Sequence, residues 1–384
     1  MSGDSTILGR YQLLQRAGGL LAPVLTAALA FLVGGLVIVA TNGKAPWGVY
    51  RQIVDGAGLN WIFHPTTDTS NTAAYNLTQT LLVTTALILT GLAVSFAFRC
   101  GMFNIGGQGQ YIVGSTFAVW VGSSLSGLAP ALHVTLAIAA ATLAGAAWAG
   151  IAGFLKATVG AHEVITTIML NWTAVWVVSA LIGPGGPLQS PSAADNPISS
   201  DVVSGAKLPI VWGDPLLQGL SIGIFVALGA LVVYWVVVNR TTLGFGIRAV
   251  GLSPEAARYG GIAVGRSMIL AMAVSGAFAG LAGALDILGW HYRLGVDDVQ
   301  ASQIGFMGIA VALLGRNKAV GVGLSALLFG ALATGTSTRN LELTGLRPDL
   351  AGNLTILIQG LVVLFVGVDV FVLVVLMRLR RRRA

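Results

Sequence analysis

Apolar runs of about 17 to 25 residues recur along this chain with almost no charge inside them, and nothing else in the sequence limits the fold so severely. A helix rising 1.5 Å per residue needs about 20 such residues to cross roughly 30 Å of hydrocarbon. In that medium every backbone N–H and C=O must find a partner inside the protein, so only helices and closed barrels can span it. The runs are continuous in Leu, Val, Ala and Gly rather than alternating, which argues against a barrel. Composition agrees: 55% of the 384 residues are hydrophobic, 9% are charged, and the mean hydropathy is +0.84. Soluble domains carry about 25% charged residues. The expected fold is all-α, a polytopic membrane protein of about ten transmembrane helices forming one transmembrane domain over 1–384.

Hydropathy marks the spans at about 17–40, 76–98, 106–126, 132–154, 163–182, 216–238, 267–289, 303–315, 319–337 and 353–376. With the N-terminus in the cytoplasm, fifteen of the 21 basic residues fall inside. They are Arg10, Arg16, Arg99, Lys156, Arg240, Arg248, Arg258, Arg266, Arg316, Lys318 and the five arginines of the 377–384 tail. Lys44, Arg51, Lys207, Arg293, Arg339 and Arg347 fall outside, which satisfies the positive-inside rule with residues 1–16 and the tail both cytoplasmic. The net charge of +7 is spread through short loops, so it reports topology rather than a nucleic-acid partner; membrane lipid is the expected surrounding. The first 16 residues are too polar for a signal peptide, and the first span is expected to remain as an anchor. The outer segment 183–215 reads as a loop with room for a short hairpin. Cys100 is the single cysteine, which excludes an intrachain disulfide. His64, His133, His162 and His291 have no metal spacing and are expected in loops or at the membrane interface, and no nucleophile and base fall together. No catalytic, metal or cofactor site is expected.

Two spans are interrupted. The third opens with Phe103-Asn104-Ile105-Gly106-Gly107-Gln108-Gly109-Gln110, and the eighth is short and glycine-punctuated, Gln303-Ile304-Gly305-Phe306-Met307-Gly308. With five spans per half, they are the third of each half and run in opposite directions, the pattern of inverted five-helix repeats around a central pathway. In the fifth span Glu163, Thr167 and Asn171 share one face, four residues apart. Phe103, Asn104, Gln108, Thr167, Asn171, Trp172, Gln303, Phe306 and Met307 are the candidate pathway residues; hydrogen-bonding glue between helices is the competing role for the amides. Phe103, Trp172 and Phe306 are candidates to stack on a planar solute. Glu163 also fits a helix-start carboxylate stabilised by the dipole. Asp286 lies late in its span, close to the outer end, and Asp369 lies in the last span without an evident partner, which disfavours an ion-coupled carrier.

The polar segment 240–266 (RTTLGFGIRAVGLSPEAARYGGIAVGR) falls on the inner side. Ser253 can cap a short helix there, Pro254 suits its first position, Glu255 faces its positive end, and Gly260 and Gly261 can close it. The chain contains no G-x-x-x-x-G-K-[ST] loop, so ATP-driven transport would need another subunit to hydrolyse ATP, and an exposed inner helix is what that subunit would move.

Residues 251–262, GLSPEAARYGGI, resemble the coupling-loop motif of permease subunits of ABC importers for sugars, nucleosides and branched-chain amino acids. GMFNIG at 101–106, EVITTIMLN at 163–171 and GIAVALLGRN at 308–317 resemble the nucleoside-type permeases of that group, those of guanosine and nucleoside uptake; the likeness begins near residue 76. The resemblance implies a type II importer-like permease in a bacterial cytoplasmic membrane, itself non-catalytic. It implies an ABC ATPase subunit, a second and paralogous permease chain, and an extracytoplasmic substrate-binding protein. Ser253, Pro254, Glu255, Ala256, Ala257, Arg258, Gly260 and Gly261 would couple to the ATPase, with the two alanines letting the helix sit deep in its groove. Gln108 stands where that pattern has glutamate, His162 where it has asparagine and Met307 where it has aspartate; the lost carboxylates weaken any case for a cationic solute. A nucleoside is the expected solute, with a sugar or branched-chain amino acid as the alternative within the group.

Overall fold

A computed structural model describes residues 27–40, 45–63, 65, 71–125, 127–193, 195–214 and 219–337, with a few further positions between 353 and 364. The expected inner N-terminus 1–16, the start of the first span, His64, most of the last span with Asp369, and the basic tail 377–384 lie outside the described residues. The chain divides into two units, Met1–Ile53 with Thr336–Ala384, and Val54–Gly335. In the first, helix α1 (Ala27–Ala40) and the opening of α2 (Pro46–Gly56) meet edge to face through Phe31 and Tyr50, and the Tyr50 hydroxyl donates to the Phe31 carbonyl.

The second unit holds the rest. The short α3 (Asn60–Phe63) leads to α4 (Thr72–Arg99), α5 (Gly107–Ser124), α6 (Pro130–Val159) and α7 (Glu163–Ile182). The long loop that follows ends in a small antiparallel hairpin, β1 (Ile210–Trp212) on β2 (Leu220–Ser221), whose second strand lies past the expected loop end. Then come α8 (Gly223–Arg240), α9 (Thr242–Leu252), α10 (Pro254–Tyr259), α11 (Val264–Asp286, prolonged by a π-turn over Ile287–His291), α12 (Val296–Ala301), α13 (Ile304–Leu314) and α14 (Ala319–Gly335).

Among the described residues, five helices, Thr72–Arg99, Pro130–Val159, Glu163–Ile182, Gly223–Arg240 and Val264–His291, are long and apolar enough to cross a membrane. The expected spans at 106–126, 303–315 and 319–337 fall on α5, α13 and α14, of 18, 11 and 17 residues. The protein is therefore a helical, multi-pass membrane protein.

α4 is the central post, mostly buried and packed by α8, α11, α13 and α14. Its threonines would be costly there, yet Thr78, Thr84, Thr85 and Thr90 each return their hydroxyl to the carbonyl one turn earlier. Around it the helices close on glycine. A Cβ at Gly276 of α11 would fall 2.2 Å from the Gly145 carbonyl oxygen of α6, and one at Gly280 would fall 2.4 Å from that of Ala141. α5 enters the same contact, since a Cβ at Gly114 would meet the Gly280 Cα at 2.5 Å. Small residues let backbones approach where lipid gives no hydrophobic drive, so α5, α6 and α11 form a tight frame. His133, expected in a loop or at the interface, is instead buried in the first turn of α6, its Nε2 2.9 Å from the Val121 carbonyl at the end of α5.

Candidate functional site

α5 begins abruptly after a non-helical stretch, Met102–Gly106, and α13 begins after the break at Ser302 and Gln303. A buried helix start leaves N–H groups that need acceptors. The two starts abut: a Cβ on Gly305 would lie 2.3 Å from the Gln108 Cα. Gln108 then spans the break in the other helix, its Nε2 donating to the Ser302 carbonyl at 2.9 Å while its Oε1 accepts from the Gly305 N–H at 2.8 Å. Asn171 of α7 serves α5 in the same way, accepting from the Gly109 N–H at 2.8 Å and donating to the Ile105 carbonyl at 2.9 Å.

Asn104 lines neither of the two cavities described below. It is fully buried, exchanges two 2.9 Å hydrogen bonds with the Gln110 amide, accepts from the Gly106 N–H, and donates to Ser275 Oγ at 2.7 Å. The Ser275 hydroxyl in turn donates a hydrogen bond to the Ala93 carbonyl, so this network ties α4, α5 and α11 together.

Between α5, α7, α12 and α13 lies a cavity of about 400 Å³ lined by Gln108, Asn171, Trp172, Gln303 and Phe306. Five of the nine expected pathway residues thus meet in one place. Trp172 is 60% exposed and Phe306 39% exposed, so both rings offer a face. Trp176, one helical turn beyond Trp172, joins them; its i+4 spacing was the available signal and was missed. The remaining four sit elsewhere. Phe103 packs on Phe98 with centroids 4.9 Å apart, Thr167 is buried with its hydroxyl on the Val164 carbonyl, Asn104 is in the network above, and Met307 lines a second cavity. Glu163 pairs with Lys156 at 2.9 Å in the first turn of α7, clear of the cavity.

Among the described residues, no ionisable side chain lines this cavity. The Gln108 and Asn171 amides are committed to backbone, whereas those of Gln300 and Gln303 make no hydrogen bond among the described residues. The arrangement can stack a planar group and exchange hydrogen bonds with a neutral solute.

At one end of the bundle, α10 is a six-residue helix about 9 Å long. Ser253 Oγ accepts from the Ala256 N–H at 3.2 Å, Pro254 opens the helix, and Gly260 and Gly261 close it, Gly261 with φ of +78°. The sequence reading missed the preceding α9, which Thr241 caps through the Gly244 N–H. Of the two alanines expected to let the helix sit deep in the ATPase groove, Ala257 is only 5% exposed and packs inward, while Ala256 faces out. Leu252 at the end of α9 and Tyr259 at the end of α10, 90% and 95% exposed, were not singled out. Gly251 rests on the end of α4, where a Cβ would fall 2.3 Å from the Arg99 carbonyl oxygen. Arg99 in turn donates to the Asn317 carbonyl at 2.5 Å, as does the Tyr234 hydroxyl at 2.8 Å, which joins α4, α8 and the α13–α14 turn.

Comparison with known proteins places this geometry in context. The chain is 34% identical to the guanosine ABC transporter permease protein NupP of Bacillus subtilis, over 97% of this chain and 100% of that one. It is 32% identical to the nucleoside ABC transporter permease protein NupB of Lactococcus lactis, over 95% of each. To the glucose ABC transporter permease protein TsgB13 of Haloferax volcanii it is 35% identical, over 89% of this chain and 86% of the other. No solved structure matches the chain. Residues 76–367, which include both interrupted helices and the capped α10, match the family described as branched-chain amino acid transport system / permease component, and to that family the chain belongs.

Proposed function

We propose that this chain is the permease subunit of an ATP-driven importer and that it carries a nucleoside across the cytoplasmic membrane. The observation that carries the solute class is the cavity of Gln108, Asn171, Trp172, Gln303 and Phe306, aromatic and, among the described residues, without an ionisable side chain. A zwitterionic amino acid would bring an ammonium and a carboxylate into it with nothing to pair them. A flat, neutral base finds ring faces and amides, and the guanosine and nucleoside permeases among the relatives fit that reading.

The rest of the proposal follows from position. α10, within a coupling loop over 240–266, docks on a separate ABC ATPase through Leu252, Ala256 and Tyr259, with Ser253, Pro254, Gly260 and Gly261 shaping it and Glu255 and Arg258 at the rim. ATP is hydrolysed there, and this chain catalyses no covalent step. The cavity borders the outer face of α7, where Ile165, Met169 and Trp176 stand exposed, so a second and paralogous permease supplies the opposite wall. An extracytoplasmic binding protein delivers the solute. The single domain 1–384 crosses the membrane ten times as two inverted five-helix halves with both ends in the cytoplasm.

The test is uptake into proteoliposomes holding the assembled transporter. Labelled inosine is expected to accumulate with internal ATP and to persist under an uncoupler. Accumulation of leucine but not inosine, or collapse of uptake with the uncoupler, would overturn the reading.

A further inference from the structure

A second cavity of about 350 Å³ adjoins the first, and Val299 and Ser302 line both. Its floor is Asp286 of α11, 6% exposed. Asp286 Oδ2 accepts from the Tyr111 hydroxyl of α5 and lies 3.1 Å from His291 Nδ1. Asp286 Oδ1 and the buried Ser302 hydroxyl have no hydrogen-bond partner among the described residues, while the buried Ser115 hydroxyl neighbours that of Tyr111. Asp286, Ser115 and Ser302 line the same cavity. Buried polar atoms in proteins are almost always satisfied, and a bare carboxylate oxygen is among the most costly exceptions. Something that donates belongs against it.

The lining narrows what that is. Asp286 and Asp298 are the only carboxylates, Arg293 accompanies Asp298 at the exposed mouth, and Asp286 already has His291 beside it, so the oxygen cage of a metal is absent among these residues. One acceptor flanked by two hydroxyls, each able to donate and accept, is the complement of adjacent hydroxyl groups on a ring. Ile112, Ile287, Leu294 and Trp290 supply the apolar wall such a ring needs for its C–H faces. We infer that this cavity is a second solute site, binding the vicinal hydroxyls of a pentose or hexose with Asp286 as their acceptor and Ser115 and Ser302 completing the pattern. The inference rests on the proposed function only in that such a permease meets these rings. A solute would then have two stations separated by the α12–α13 junction.

The test is equilibrium binding to the full-length chain in lipid nanodiscs, using labelled D-ribose, inosine and 2′,3′-dideoxyinosine. Inosine is expected to bind at least about tenfold more tightly than its dideoxy analogue. Asp286→Asn and Ser115→Ala are each expected to weaken ribose and inosine by a similar factor and to leave the dideoxy compound unchanged. Ser115→Ala removes one hydroxyl beside Tyr111 and leaves Asp286 with its Tyr111 and His291 partners in place, so its fold is expected to hold even if that of Asp286→Asn does not. Equal binding of inosine and its dideoxy analogue, or ribose binding indifferent to Ser115→Ala, would mean that water alone fills the cavity and would overturn the inference. Loss of inosine uptake in proteoliposomes alongside Ser115-dependent ribose binding would overturn the proposed function instead. Absence of ribose binding with ATP-driven inosine uptake intact would overturn this inference alone.

Discussion

Gln108 performs two opposite tasks, donating to the Ser302 carbonyl and accepting from the Gly305 N–H. A glutamate, expected at this position from the family resemblance, could do the second but would set a negative charge against the Ser302 carbonyl. Gln108→Glu is therefore expected to lower stability by about 2 kcal/mol or more, read as a fall in the melting temperature of the purified protein. An unchanged melting temperature would contradict the clasp. The same kind of bond explains why Asn104 and Asn171 could not be told apart by sequence. Both are polar residues in or beside an apolar run, but the group that claims Asn104 is Ser275, 171 positions away, and Asn171 is held by residues 62 and 66 positions before it. Cys100 was legible as a lone thiol and no further. The structure buries it, with Sγ 3.8 Å from the Ser267 carbonyl, and desolvation pushes its pKa up to about 12. Thiolate is the reactive form, so the native protein is expected to resist maleimide at pH 7.5 and to react once denatured. Rapid labelling of the native protein would refute that burial, and its absence leaves the wild-type chain ready for introduced cysteines.

At the scale of elements, α10 was readable because its signals are local: the cap, the proline and the closing glycines lie within nine residues of one another. α9 was not, because its glycines read as a loop until their neighbours are known. A Cβ at Gly244 would meet the Val237 carbonyl oxygen at 2.1 Å, and one at Gly251 would meet that of Arg99. Those residues are glycine to permit contact rather than to break a helix, a case of tertiary packing overriding propensity. The orientation of α10 follows from the same packing. Ala257 faces the chain, and a charge there would disturb the fold itself. Ala256→Glu is the cleaner probe of coupling: insertion and melting temperature are expected to stay at wild-type values while ATP-driven uptake falls at least about tenfold, since an unpaired charge would be buried at the contact. Wild-type uptake in that variant would remove α10 from the coupling surface.

For the molecule as a whole, the long apolar helices were legible because each is a continuous pattern many residues long. Their partners were not, since helices that are apolar on every side carry no stripe to show which side faces protein. Glycine settles it here, through the approach of α5, α6 and α11 at Gly114, Gly145, Gly276 and Gly280. Gly280→Leu is expected to wedge this frame apart and cost about 3 kcal/mol or more, measured as loss of monodisperse protein after solubilisation. Normal yield and melting temperature would show that the helices can separate freely.

The first cavity also bears on the electrical character of transport. On the proposed reading the solute passes through this cavity, whose walls of rings and amides hold no ionisable side chain among the described residues, so at this station a neutral solute has no fixed charge to carry along or leave behind. Moving one elementary charge through the membrane field is worth about 2.3 kcal/mol per 100 mV, whereas moving none is worth nothing. Solute passage should therefore be electroneutral: clamping vesicles at potentials of either sign with a potassium ionophore is expected to leave the ATP-driven rate unchanged, and a rate that tracks the imposed voltage would mean that charge crosses with the solute.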